Sequence, residues 1–122
     1  MTQRQISEGE GWRIGWDEGA ATFPGLLGGA DWALELSSVE FDDFCRLAQQ
    51  LAETMSAMAA ELMESECLTC EQETSHIWLE AAGLPERYSL RFILLTGRRG
   101  EGGWPPAVVP ALLQAIAQLK VF

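Results

Sequence analysis

Apolar residues change their spacing along the chain, and this change constrains the fold more than any other feature. They occupy every second position in residues 12–16, 32–36 and 77–81. A period of two is typical of strands that bury one face. Between Phe41 and Leu62 the apolar residues recur at helical spacing instead, with no Gly or Pro among them. The sequence therefore predicts strands on both sides of a long helix.

The predicted helix has a clear start. Ser37 and Glu40 have the spacing of a capping box, in which each residue bonds the backbone of the other. From there the pattern predicts a helix of about 25 residues, or roughly 38 Å. Such a helix is as long as a monomer of this size is wide. We therefore expect a homodimer, in which the second subunit or a sheet edge covers the far end.

Residues 75–96 predict a β-hairpin with its turn at 82–86. Centring the turn between Leu84 and Pro85 pairs Ile77 with Phe92 and makes one face uniformly apolar. A slip of one residue would move every side chain to the other face, so the face assignment is strongly specified.

Glycine and proline mark the remaining segments. Residues 23–29 predict a short edge strand or an irregular turn, and residues 97–103 predict a flexible loop. A final helix follows Trp104, with Pro110 in its first turn, and ends near Lys120. The polar residues 1–10 predict a flexible N-terminus.

These elements predict one α+β domain over residues 1–122. We expect a strongly twisted antiparallel sheet, one long central helix and one C-terminal helix. Strands followed by a helix occur twice in this order, which predicts a duplicated layout.

Charge and cysteine content restrict the possible partners. The net charge is −10; residues 1–75 carry fifteen acids and three bases, and residues 76–122 carry three acids and five bases. Any nucleic-acid site would therefore lie in the C-terminal half. Three cysteines without a disulfide spacing, no signal segment and no membrane-length apolar run predict a soluble, cytoplasmic protein.

No motif in the sequence predicts catalysis, a cofactor or a metal. The pair Cys67 and Cys70, with His76, offers three ligands at most, whereas zinc requires four. If the segment around the cysteines is a strand, the two thiols point to opposite faces. The glycine-rich segments lack the lysine and the βαβ context of a phosphate-binding loop. We therefore predict a protein that is not an enzyme.

Tryptophan and arginine side chains in the C-terminal half are the candidate contact residues. They are Trp78, Arg87, Arg91, Arg98, Arg99 and Trp104. Trp and Arg are typical anchors of protein–protein interfaces. The same side chains on a sheet can stack bases and neutralise phosphates. The alternative without function is a cation–π pair of Trp78 with Arg91 beside an ordinary basic loop. We predict a protein-interaction module, with single-stranded nucleic-acid binding through the C-terminal sheet face as the alternative.

Several segments resemble a small cyanobacterial family of unknown function with plastid relatives. They are residues 11–17 (GWRIGWD), 28–36 (GGADWALEL), 41–46 (FDDFCR) and 96–106, which runs from TGRR to GWPP. The resemblance implies a fold like that of the Whirly and positive-cofactor-four single-stranded-DNA-binding proteins. It implies no functional residues. The DNA-binding relatives use basic sheet surfaces, and the charge of −10 departs from that pattern.

Overall fold

The computed structural model describes residues 4–61 and 66–119, which form eight strands and two helices. In chain order the elements are β1 (Arg4–Gly9), β2 (Trp12–Asp17), β3 (Gly25–Gly28), β4 (Ala33–Leu36), α1 (Ser38–Met58), β5 (Leu68–Glu73), β6 (Ile77–Leu84), β7 (Arg87–Leu94), β8 (Glu101–Trp104) and α2 (Val109–Gln118). The α+β class predicted from the sequence is confirmed.

The strands form two sheets, whereas one was predicted. The first sheet has the order β1-β2-β3-β4 and the second has the order β5-β6-β7-β8, with antiparallel pairing throughout. Each strand pairs with its neighbour in sequence, and α1 separates the fourth strand from the fifth. Alternation shows that a segment is a strand but not which sheet it joins, because both sheets bury one face in the same way.

Two segments of the first sheet differ from the predictions. Residues 4–9, within the predicted flexible N-terminus, form β1. Their side chains are mostly exposed and show no alternation of apolar residues, and backbone pairing with β2 holds the strand. The turn between the two strands contains Gly11 at φ +82°, a conformation that glycine adopts without strain. The predicted edge strand at residues 23–29 is instead β3, an inner strand between β2 and β4.

Helix α1 begins as predicted. Ser37 accepts a hydrogen bond from the backbone of Glu40, and the Glu40 carboxylate accepts one from the backbone of Ser37. The helix has 21 residues and ends at Met58, short of the predicted length. The predicted apolar position Leu62 lies outside the described residues.

The register of the β6–β7 hairpin differs from the prediction by two residues. Ile77 pairs with Leu94, and Phe92 pairs with Leu79. The turn has only two residues, Pro85 and Glu86, so β6 continues to Leu84 through residues predicted as turn, while β7 begins at Arg87 as predicted. A shift of two residues keeps each side chain on its face, because the strand repeat is also two.

Four aromatic side chains join the two sheets. Trp32, Phe44, Phe92 and Trp104 lie with their ring centroids 5.3–5.8 Å apart. The indole nitrogen of Trp104 donates a hydrogen bond of 2.9 Å to the backbone oxygen of Gly28 in the first sheet. Both helices also contact both sheets. The core therefore lies between the sheets and is closed by the helices.

The predicted flexible loop at residues 97–103 is partly β8. A Cβ atom at Gly102 would lie 2.5 Å from the Trp32 ring, so only glycine lets this ring pack against the strand. Gly100, Gly102 and Gly103 are so close in sequence that they predict a loop. In the structure they let neighbouring side chains and backbone approach the strand closely. The C-terminal helix has Pro110 in its first turn, as predicted.

Candidate partner-binding surface

The solvent-facing side of the second sheet carries three of the six predicted contact residues. Along β6 and β7 the alternate residues are buried, so their neighbours face outward. We call this side the Trp78 surface; it comprises Thr69, Glu71, Glu73, Trp78, Glu80, Ser89, Arg91, Ile93 and Glu101, with Arg87 at one end.

Trp78 and Arg91 are in contact at the centre of this surface. The guanidinium carbon of Arg91 lies 4.9 Å from the centroid of the Trp78 ring. The indole nitrogen donates to the Glu71 carboxylate at 3.2 Å, and Arg91 lies 3.7 Å from the Glu80 carboxylate. Because Glu80, not Trp78, is the strand partner of Arg91, the stacking is diagonal across the ladder. The cation–π contact that the sequence analysis named as the alternative without function is therefore present.

Arg98 does not lie free at the surface but connects three parts of the fold. Its two terminal nitrogens donate to the backbone oxygen of Glu35 at 2.7 Å and to the Glu40 carboxylate at 2.5 Å. Its guanidinium also stacks on Phe23, with the carbon 4.3 Å from the ring centroid. The side chain thus joins the β7–β8 loop to the first sheet and to the start of α1. Arg99, its neighbour, is exposed at φ +55° in the same loop.

Trp104 is not a surface contact, and this part of the site prediction is wrong. The side chain is only 2% exposed and belongs to the aromatic cluster between the sheets. Trp104 is the last residue of β8, and its side chain is turned inward.

Two buried carboxylates at the start of α1 were missed by the sequence analysis. Glu40 is 3% exposed and Asp43 is 8% exposed, whereas carboxylate side chains are mostly exposed in folded proteins. For Glu40, the sequence spacing does indicate burial. It lies four residues before Phe44 and eleven before Leu51, on the buried stripe of the helix.

Asp43 has donors from the β5–β6 loop and from α1 itself. Asp43 accepts a hydrogen bond from the Thr74 hydroxyl at 2.7 Å, and it lies 3.0 Å from His76 Nδ1 and 3.1 Å from Arg46. Burial by itself would raise the pKa of Asp43, but these three partners outweigh it and lower the pKa below its usual value.

Glu40 is held in a similar way. Burial would raise its pKa, but the Ser37 backbone, the Thr96 hydroxyl and Arg98 together lower it. The Thr96 hydroxyl donates to the second carboxylate oxygen at 2.8 Å. Glu40 and Asp43 are therefore ionised at neutral pH and fasten two neighbouring loops of the second sheet to one end of α1.

The cysteines and His76 do not form a metal centre in the described residues. Cys67 is exposed, Cys70 is half-buried and both are free thiols, while His76 is engaged with Asp43. No group of three or more His, Cys, Asp or Glu residues within 4–61 and 66–119 could hold a metal ion. In those same ranges neither helix is long and apolar enough to cross a bilayer.

The fold is an α+β domain of two antiparallel four-stranded sheets closed by two helices. Residues 7–119 match the family described as a domain of unknown function, DUF1818, and the chain belongs to this family. The chain is also similar to a protein with unknown function from Prochlorococcus whose crystal structure is ascribed to the DUF155 family. The identity is 29% and the TM-score 0.87, over 93% of this chain and 96% of the other. No functionally curated protein matches the sequence.

Proposed function

We propose that this protein is a non-enzymatic protein-interaction module that binds its partner through the Trp78 surface. The observation that carries the proposal is the position of Trp78 and Arg91 side by side on the outward side of the second sheet, where a partner can reach both. Tryptophan and arginine concentrate binding energy at interfaces because both offer a large flat surface with polar groups at the edge. An extended sheet face presents them on a rigid support.

The charge of this surface selects the partner. Four carboxylates, from Glu71, Glu73, Glu80 and Glu101, surround the stacked pair. The nearby cations are Arg91 itself and Arg87. The net charge of the surface is therefore negative, like that of the whole chain. Charge complementarity favours a protein partner with a basic face and an apolar or aromatic centre that stacks against Trp78.

The roles of the titratable groups support a binding function over catalysis. A general acid or base usually has a pKa close to the working pH. The carboxylates of Glu40 and Asp43 have lowered pKa values and are occupied by structural donors. His76 faces one of them and completes the attachment of its loop.

The element order and the thiols support two further parts of the proposal. Four strands followed by a helix occur twice along the chain, which favours the likeness to Whirly proteins and a duplicated layout.

The free thiols of Cys67 and Cys70 fit a reducing compartment, so we propose a cytoplasmic location, which cell fractionation tests.

Cross-linking in cell lysate, followed by purification of the partner, tests the proposed surface. We expect cross-links to fall on the Trp78 surface and the affinity to drop at least tenfold in Trp78→Ala, the size of effect seen for interface anchors. Arg91→Ala should weaken binding, and added salt should weaken it further.

Arg13→Ala is the matched control. Arg13 is 47% exposed and paired with Glu8 on the first sheet, while Arg91 is 52% exposed and paired with Glu80. Equal affinities of wild type, Trp78→Ala and Arg91→Ala for the purified partner would overturn the proposal, as would cross-links confined to the first sheet.

Single-stranded nucleic-acid binding through the same surface is the second candidate. An aromatic ring in contact with Arg91, with Arg87 further along the same face of β7, is a combination that stacks bases and contacts phosphates. The four surrounding carboxylates repel phosphates, which is why this candidate ranks second. It predicts quenching of tryptophan fluorescence by an oligothymidylate at low salt. No quenching and no shift of electrophoretic mobility at low salt would eliminate it.

A further inference from the structure

The stretch 105–119, which includes α2, carries no charge. From Pro105 to Leu119 there is no charged side chain, in a protein whose net charge is −10. Several residues of this stretch are exposed, among them Pro110, Ala111, Gln114 and Ala117. A surface helix normally turns charged residues to solvent. The outer side of α2 is therefore unusual for a helix that faces water.

A groove of about 300 Å³ lies beside this helix. One wall is the second half of α1, with Ala52 and Ser56, and the other is the start of α2, with Val109 and Leu113. Residues 85–88, which are the β6–β7 turn and the first two residues of β7, close one end. We call this cleft the α2 groove; its lining is mainly apolar.

Tyr88 contributes a largely buried aromatic ring to the groove. It lines the groove and is 9% exposed. Burial raises the pKa of its hydroxyl. The ring adds to the apolar area that an occupant of the groove would cover.

Two charged residues stand at the rim of the groove, and they are neighbours of opposite sign. Glu86 and Arg87 are both exposed at the β6–β7 turn. In a two-fold symmetric interface every contact occurs twice: if one residue contacts a second residue on the partner, that second residue also contacts the first on the partner. Glu86 of one molecule can then face Arg87 of the partner subunit, and the reverse pair forms at the same time. The rim is therefore complementary to itself.

We infer that the α2 groove is the self-association surface of a two-fold homodimer. Molecules of net charge −10 repel each other over most of their surface, and this repulsion is smallest where no charge is present. The groove supplies apolar area for burial, and the rim supplies two ion pairs that fix the orientation. This inference goes beyond the proposed function and does not depend on the stacked pair Trp78 and Arg91.

Light scattering after size-exclusion chromatography, at micromolar concentration, tests the inference. Wild type should have twice the chain mass of 13.4 kDa. Leu113→Glu places a charge in the groove and should give a monomer. Val39→Glu is the matched control, since Val39 is 48% exposed at the other end of α1 and should leave the dimer intact.

Charge exchange at the rim separates an interface effect from misfolding. Glu86→Arg alone and Arg87→Glu alone should each weaken the dimer about tenfold, because like charges then face each other. The double variant with both changes should recover wild-type association, since the pairs form in the reverse sense. A monomeric wild type, a dimeric Leu113→Glu, or a double variant as weak as the single ones would overturn the inference.

Discussion

Arg98 forms a salt bridge to Glu40 across 58 residues of sequence, with its terminal nitrogen 2.5 Å from the carboxylate oxygen. Glu40 is 3% exposed and the Arg98 side chain is 33% exposed. The carboxylate also closes the capping box of α1. One buried acid therefore starts the helix and holds the loop before β8, so that a local motif and a long-range contact depend on each other.

Removal of the Arg98 side chain should destabilise the folded state. We expect Arg98→Ala to lower the free energy of unfolding by about 2–3 kcal/mol, because the Glu40 carboxylate stays buried without its cation. Urea denaturation gives the value. Arg99→Ala is the matched control: it is adjacent and exposed, and it should change stability by less than about 0.5 kcal/mol. Equal losses in the two variants would contradict a structural role for this ion pair.

Acid should destabilise the protein through Glu40 and Asp43. Their pKa values in the folded state lie below the ordinary values of 4.5 and 3.8. The unfolded chain therefore binds more protons in this range, and the stabilisation is present above the ordinary pKa and lost as pH falls through the folded pKa.

Thermal unfolding between pH 7 and pH 3 tests this dependence. We expect the melting temperature to fall steeply below about pH 4.5, the ordinary pKa of Glu40. The double variant Glu40→Gln, Asp43→Asn should be less stable at neutral pH and show a shallower acid slope. An unchanged slope would mean that other carboxylates cause the acid sensitivity.

A single methyl group should disturb the contact between Gly102 and Trp32. The Cβ atom of Gly102→Ala would lie 2.5 Å from the Trp32 ring, so the aromatic cluster must shift. We expect a loss of about 1–3 kcal/mol, which is typical of overpacking. Gly97→Ala is the control, because no atom lies within 4 Å of the added group. Chemical denaturation should therefore give a lower free energy of unfolding for Gly102→Ala than for Gly97→Ala.

Disulfide formation can verify the hairpin register in solution. In a background without the native cysteines, Glu80→Cys with Arg91→Cys should oxidise readily, because these residues are direct strand partners. Glu80→Cys with Ser89→Cys should oxidise poorly, since Ser89 pairs with Ala82. Mass spectrometry after mild oxidation measures both. The opposite preference would favour a turn centred between Leu84 and Pro85.

The sequence by itself determined the features that depend on neighbouring residues. The capping box of Ser37 and Glu40 is local, and it is present in the structure. The alternation in β2 and β6 assigned the buried face correctly, because side chains in a strand alternate whatever the strand pairs with. For the same reason, the predicted faces of the β6–β7 hairpin are correct although its predicted register is wrong by two residues.

Only the tertiary structure decided which elements meet. Sequence periodicity carries no information about the number of sheets, the two-residue turn at Pro85, or the inward position of Trp104. Glu40 and Asp43 can be buried because hydrogen-bond donors offset the loss of their hydration. Four of these donors lie more than 30 residues away in sequence: Thr74, His76, Thr96 and Arg98. A buried charge is stable only with such partners, and their arrival depends on how the two sheets pack around α1.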